Sequence, residues 1–269
     1  METKLIFFDI DGTLLDEETF CVPASTQQAI AKAQANGHLC FINTGRPIST
    51  IDKVITDIPF DGYICGCGTY IEYQGKPIFH VEIPAEKQKL VIEKSYECHI
   101  DTVLEGRNGV YFPHKTFHPF VGGVEQRYIE QKFPVFKYNQ HDIVPFDKYA
   151  SWYDEHSDVD TFKEALQNDF DFIQRDVDFL EIIPLGYSKA TGIQMIADYL
   201  NIPVENAISI GDSTNDLPML EFTKESVAMG NSNPLLFDVV TFITTDIRDN
   251  GIENALKHFQ IILFFKKTL

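Results

Sequence analysis

Apolar residues in this chain gather in short runs that stop abruptly at polar residues and glycine. Leu5-Ile6-Phe7-Phe8, Leu39-Cys40-Phe41-Ile42 and Ala207-Ile208-Ser209-Ile210 are too short for helices and read as buried strands. Asp61-Gly62-Tyr63-Ile64-Cys65 is another, followed by glycines at 66 and 68. Between the first two runs, Thr26 to about Asn36 reads as a helix, with Ser25 as the expected N-cap and Gly37 as the stop. Ser188-Lys189-Ala190-Thr191-Gly192 opens a second helix that runs to about Leu200, with Ile193, Ile196, Ala197 and Leu200 on one face. Strands and helices alternating at this spacing predict parallel βαβ units.

The stretch 84–186 differs. Gly109-Val110-Tyr111-Phe112, Val135-Phe136-Lys137-Tyr138 and Phe179-Leu180-Glu181-Ile182-Ile183 read as strands, with helical segments near 86–97 and 158–168. The expected fold is therefore α/β: a Rossmann-like doubly wound parallel sheet built from 1–83 and 187–269, with 84–186 inserted as an α+β domain. Pro84 and Pro184-Leu185-Gly186 are the expected hinges.

The chemistry stands where the strands end. The first run gives way to Asp9-Ile10-Asp11-Gly12-Thr13-Leu14, and alternation along an extended backbone turns Asp9 and Asp11 to one side. A buried strand that ends in carboxylates is costly unless a compensating charge sits there. The second run ends in Asn43-Thr44-Gly45-Arg46-Pro47, a hydroxyl and a glycine that let an anion approach closely. The third ends in Gly211-Asp212-Ser213-Thr214-Asn215-Asp216. Lys189 stands in a first helical turn, where orphan N–H groups already favour an anion. In an open parallel sheet, ligands collect at the carboxyl ends of the strands where the winding reverses.

These four spaced motifs resemble those of the haloacid dehalogenase superfamily over nearly the whole chain. The extensions Leu217-Pro218-Met219-Leu220, Val227-Ala228-Met229-Gly230-Asn231 and Thr44-Gly45-Arg46-Pro47 are similar to the Cof-like sugar-phosphate phosphatases. The resemblance implies that 84–186 is a cap domain. It also implies hydrolysis of a small phosphorylated metabolite with Asp9 as nucleophile and Asp11 as acid and base. Ile10 and Gly45 (through backbone N–H), Thr44, Lys189 and Asn215 would hold the phosphoryl group. Mg²⁺ would be held by Asp9, Asp11 and Asp212, with Asp216 standing behind. Cys67 departs from the family pattern, which has asparagine near this position.

Composition narrows the reading. The 269 residues are 44% hydrophobic and 13% aromatic, enough for a packed core, and no apolar stretch approaches a bilayer span. No secretory leader is read at the N-terminus, and Ile261-Ile262-Leu263-Phe264-Phe265 is expected to pack as a final strand or helix end. Five cysteines at irregular spacing, Cys65-Gly66-Cys67 among them, read as reduced thiols and point to the cytoplasm. Neither they nor the eight scattered histidines form a transition-metal pattern. The net charge of −18 disfavours nucleic acid and membrane as partners, and it demands local cations if a phosphate is to bind. Nothing in the sequence sets the oligomeric state or argues against a monomer.

Three other readings share these motifs. A sugar phosphomutase needs clustered cations for a second phosphate, whereas Arg107, Arg127 and Arg175 are scattered. A dehalogenase has no use for the second acid at Asp11. A catalytically retired regulator would carry four clustered acids as a stability burden.

Overall fold

In a computed structural model of the chain, residues 2–262 are described. The predicted packing of residues 263–265 lies outside them. Among the described residues, two compact units emerge: 2–45, 52–78 and 188–262 in the first, 46–51 and 79–187 in the second.

The first unit begins with β1 (Leu5–Phe8), α1 (Ala24–Ala35), β2 (Leu39–Asn43), α2 (Lys53–Thr56), β3 (Gly62–Cys65) and β4 (Tyr70–Tyr73), and β5 (Lys76–His80) leaves it after Ile78. All four residues of β1 are completely buried, as expected of a strand covered on both faces. Ser25 does not cap α1. The chain enters that helix at Pro23, whose ring sets φ at −55°, so Ala24 and Ser25 lie inside the first turn. The segment 46–51, assigned from sequence to the sheet domain, packs with the second unit, where Ser49 Oγ donates to Gly106 O at 2.7 Å.

The second unit contains α3 (Ala85–Glu97), β6 (Asp101–Gly106), β7 (Gly109–Pro113), α4 (Pro119–Glu130), β8 (Val135–Tyr138), β9 (Lys148–Trp152), α5 (Val159–Leu166), β10 (Phe170–Asp176) and β11 (Phe179–Pro184). Its six strands run in the order β10-β11-β9-β6-β7-β8. One core gathers Val91, Ile92, Leu104, Tyr149 and Phe162; a second, around α4, gathers Val103, Phe112, Val121, Ala150 and Trp152. Strand alternation separates the two, Val103 facing one way and Leu104 the other. Val81 and Ile83 belong to the first of these cores, which is why the unit begins at Phe79, ahead of Pro84.

The chain returns to the first unit through α6 (Lys189–Leu200), β12 (Ala207–Gly211), α7 (Leu217–Phe222), β13 (Glu225–Ala228), β14 (Phe242–Ile243) and α8 (Gly251–His258). The sheet order is β14-β13-β12-β1-β2-β3-β4-β5. Pairings from β14 to β3 are parallel, but β4 runs antiparallel to β3, so the sheet is mixed at that edge. The step from β1 to β2 and the step from β12 to β13 run in opposite directions along the sheet. Right-handed crossovers then put α1 and α7 on opposite faces, and the winding reverses between β1 and β12. Among the described residues, no helix is long and apolar enough to cross a membrane.

Candidate active site

Parallel pairing in register brings Phe8 level with Ile210 on one side and Ile42 on the other. Asp9 is the next residue, tied to the neighbouring strand by its N–H donating to Ile210 O at 3.0 Å. Its side chain, 3% exposed, accepts a hydrogen bond at Oδ1 from Lys189 Nζ at 2.6 Å. Lys189 Nζ also donates to Asp216 Oδ1 at 2.5 Å, and both partners are fully enclosed. Burial opposes the lysine charge, but the two carboxylates outweigh it and hold the ammonium protonated far above its usual range.

Local structure explains why Lys189 arrives there. Ser188 caps α6: its hydroxyl accepts from Thr191 N at 3.2 Å, while Thr191 Oγ1 accepts from Ser188 N at 2.9 Å. Asn43, the last residue of β2, donates from Nδ2 to Lys189 O at 3.0 Å. The turn 66–68 also packs on this helix start. A Cβ on Gly68 would sit 2.5 Å from Ser188 O, and its φ of +91° is one a side chain rarely tolerates. Cys67, in the same turn, holds a left-handed φ of 56° and donates from its N–H to Thr44 O at 3.1 Å. Asparagine adopts that conformation more readily than cysteine.

The acids of the third strand end divide the work. Asp216 accepts at Oδ2 from the N–H groups of Asp212 and Ser213, so both of its oxygens are committed, one to the loop and one to Lys189. Asp212 accepts at Oδ1 from Thr13 Oγ1 at 2.9 Å, which ties this strand end to the loop that follows Asp9. A Cβ on Gly12 would meet Asp212 Oδ2 at 2.3 Å, so only glycine lets the two loops approach. Asn231 donates to Gly12 O at 2.7 Å and accepts from Ile247 N at 3.0 Å, and Arg248 grips Asp16 with two bonds of 2.7 and 2.8 Å. The loop after β1 is thereby held from behind.

Asp9, Lys189, Asp212 and Asp216 thus converge, with Thr44 buried at the end of β2. Asp11 is half-buried beside them and acts electrostatically on Asp9. Asn215 accepts from Ser213 Oγ at 2.5 Å, which commits its carbonyl oxygen to the loop. Asn43, Thr13 and Asn231 were not among the residues singled out from sequence as site residues. Each acts through a hydrogen bond to a segment far away in the chain, and local pattern carries no trace of that.

Asp9, Asp212 and Asp216 each offer an oxygen, all within 4.8 Å of one another. Burial and then the charge of Asp216 push Asp9 well above the usual carboxylate range, and the same two causes push Asp212 up to about 7. Two like charges 4 Å apart repel by about 4 kcal/mol at an effective dielectric near 20. A hard cation with oxygen ligands relieves that repulsion, so the donor set fits a divalent ion such as Mg²⁺. Both oxygens of Asp216 already accept hydrogen bonds, whereas Asp9 and Asp212 each accept a side-chain bond at Oδ1 alone, so those two are better suited to direct contact.

Known proteins resemble this chain along its length. The 5-amino-6-(5-phospho-D-ribitylamino)uracil phosphatase YitU of Bacillus subtilis is 29% identical over 280 residues, covering 96% of this chain and 99% of that one. A solved structure of the phosphatase BT1666 from Bacteroides thetaiotaomicron superposes with a TM-score of 0.82 at 30% identity, over 97% and 96% of the two chains. The sugar phosphatase BT4131, of the HAD subclass IIB, superposes with a TM-score of 0.81 at 27% identity, over 97% and 100%. A family model described as haloacid dehalogenase-like hydrolase matches residues 6–256, and the chain belongs to that family.

Proposed function

We propose that this protein is a Mg²⁺-dependent phosphomonoesterase that hydrolyses small phosphorylated metabolites, sugar phosphates in particular, through an aspartyl-phosphate at Asp9. The observation that carries this reading is the buried bridge Asp9–Lys189–Asp216 beside Asp212, at the carboxyl ends of β1 and β12. YitU acts on a phosphorylated ribityl compound and BT4131 on sugar phosphates, as their names state, and both resemble this chain along its length.

In the proposed reaction, an oxygen of Asp9 attacks phosphorus and the ester P–O bond breaks. Asp11 supplies the proton that the leaving alcohol takes. A water then attacks the phosphorus of the aspartyl-phosphate, Asp11 accepts its proton, and Asp9 is regenerated as phosphate departs. Lys189 fixes the Asp9 carboxylate through Oδ1 and, with two of its three N–H donors on acids, keeps one for a phosphoryl oxygen. Thr44, Asn215 and the N–H groups of Ile10 and Gly45 are assigned the remaining phosphoryl contacts. Mg²⁺, held by Asp9, Asp212 and Asp11, would neutralise the clustered charge when bound.

Acid quenching during turnover of a ³²P-labelled sugar phosphate tests the reading. The expected product is an alkali-labile label on the protein that maps to Asp9 and is lost in Asp9→Asn. Full-rate phosphate release by Asp9→Asn would overturn it.

A further inference from the structure

Asp11 stands on a loop made only of turns and isolated bridges, between the end of β1 and the start of α1. Residues 10–15 fold tightly on themselves: the N–H groups of Thr13, Leu14 and Leu15 all donate to Ile10 O, and Gly12 N donates to Leu15 O at 3.0 Å. Asp16 continues the loop by donating from its N–H to Cys21 O and accepting at its own C=O from Phe20 N. All of these bonds stay inside the loop, so they give it shape without fixing its place in the unit.

That place is set from one remote segment, 247–248. Ile247 reaches Gly12 through Asn231, and Arg248 reaches Asp16 directly. Gly12 is the residue after Asp11. Leu15, which pairs with Asp11 in an isolated bridge, is the residue before Asp16. The two grips therefore bracket the backbone that carries the Asp11 side chain.

The Asp16 grip is the directional one. Arg248 Nε and Nη2 bond opposite oxygens of the carboxylate, a fork that fixes orientation as well as distance. Asp16 is 5% exposed and also accepts from Glu18 N and Thr19 Oγ1, both at 3.0 Å. The guanidinium, ahead of those local bonds, holds its carboxyl well below the usual range, so the pair stays charged at any working pH. Arg248 itself is 47% exposed and shared with Glu18 at 2.8 Å. An ion pair open to water on one side adds little to global stability, so its geometry matters more than its energy.

We infer that Arg248 is a positioning residue: through Asp16 it fixes the loop that carries Asp11, and with it the proton transfer assigned to Asp11. This rests on the reading of Asp11 as acid and base given above.

Leaving groups test it. A departing sugar alkoxide needs the Asp11 proton, whereas p-nitrophenolate leaves without one. kcat/KM covers the steps up to that departure and excludes later hydrolysis of the aspartyl-phosphate. The alkyl ester is whichever of glucose 6-phosphate, fructose 6-phosphate and ribose 5-phosphate the wild type turns over fastest. In Arg248→Met, its kcat/KM should fall about tenfold to a hundredfold, and that for p-nitrophenyl phosphate less than about threefold. Arg248→Lys, which keeps the charge but not the fork, should recover part of the loss. Asp16→Asn should reproduce the pattern, and the double variant should lose no more than either single one. Arg248→Met, at the more exposed position, carries the test if Asp16→Asn fails to fold. Equal losses on the two esters, or an undiminished alkyl ester rate in Arg248→Met, would overturn the inference and leave the phosphatase reading standing. A wild type that turns over none of the three sugar phosphates would overturn both.

Discussion

Asp216 shows how much one side chain can organise. Its two oxygens serve different masters: Oδ1 takes the lysine and Oδ2 takes the N–H groups of Asp212 and Ser213. An amide in its place would keep the shape but turn an NH₂ group either toward those two N–H donors or toward the ammonium. Removing one partner of a buried charge pair costs about 3–5 kcal/mol when nothing compensates. Here Asp9 still holds Lys189, so Asp216→Asn should fall below that range. We expect its thermal midpoint to drop by several degrees, and turnover to fall at least about a hundredfold as Lys189 and Asp212 lose their shared anchor. A variant with wild-type kcat would show that the anchoring is dispensable. Asn43 acts with less force, because its bond to Lys189 O is neutral, its second donation goes to Met219 Sδ at 3.5 Å, and its Oδ1 is buried without a partner. Asn43→Ala should therefore cost kcat roughly tenfold or less, with little change in KM.

At the scale of the element, the start of α6 is the piece that turns sequence pattern into a site. Its capping box fixes the first turn, and that turn carries Lys189. Losing such a cap costs about 1 kcal/mol. Ser188→Ala is expected to lower stability by about that amount and kcat severalfold, and Ser188→Thr, which restores the acceptor, should recover both. Recovery of stability without kcat would separate the cap from the site. The same helix was legible in the sequence because Ser188, Thr191 and the spacing of Ile193, Ile196 and Ala197 all say the same thing. So were the strand ends: an apolar run that terminates in charge has few physical explanations, and this one brings Asp9, Lys189 and Asp212 together. Elements whose cues conflict were not legible. Gly122-Gly123 inside α4 argues against a helix that tertiary packing of Val121 and Val124 nevertheless sustains. Pro77 obscured β5, whose place at the sheet edge tolerates a missing donor. Ser25 had the chemistry of a cap, but Pro23 had already set the helix entry. The segment 46–51 follows a strand of one unit and packs with the other, and that depends on Gly106, remote in sequence.

For the molecule as a whole, Asp9, Asp212 and Asp216 gathered in one enclosed site couple folding to pH and metal. Asp212 is pushed up to about 7, first by burial and then by Asp216, whereas an unfolded aspartate titrates near 3.9. Between about pH 4 and pH 7 the folded chain therefore keeps a proton that the unfolded chain has released. Where the folded state binds more protons, stability falls as pH rises. In the metal-free protein this contribution is full below about pH 4 and is lost as pH passes through 7. Asp9 is shifted in the same direction by the same leading causes and adds to the slope. Lys189, shifted up, keeps its contribution throughout this window and does not mask the effect. A divalent cation needs the carboxylates ionised, so its binding strengthens over the interval in which the bare fold weakens. With chelator present, the thermal midpoint should decline from about pH 5 to about pH 7.5. Millimolar Mg²⁺ should raise it more at the higher pH than at the lower. In Asp212→Asn, which cannot ionise there, both the decline and the pH-dependent gain should shrink together. Equal Mg²⁺ gains at the two pH values, or an undiminished slope in that variant, would separate the acid cluster from the metal and leave the slope to residues elsewhere.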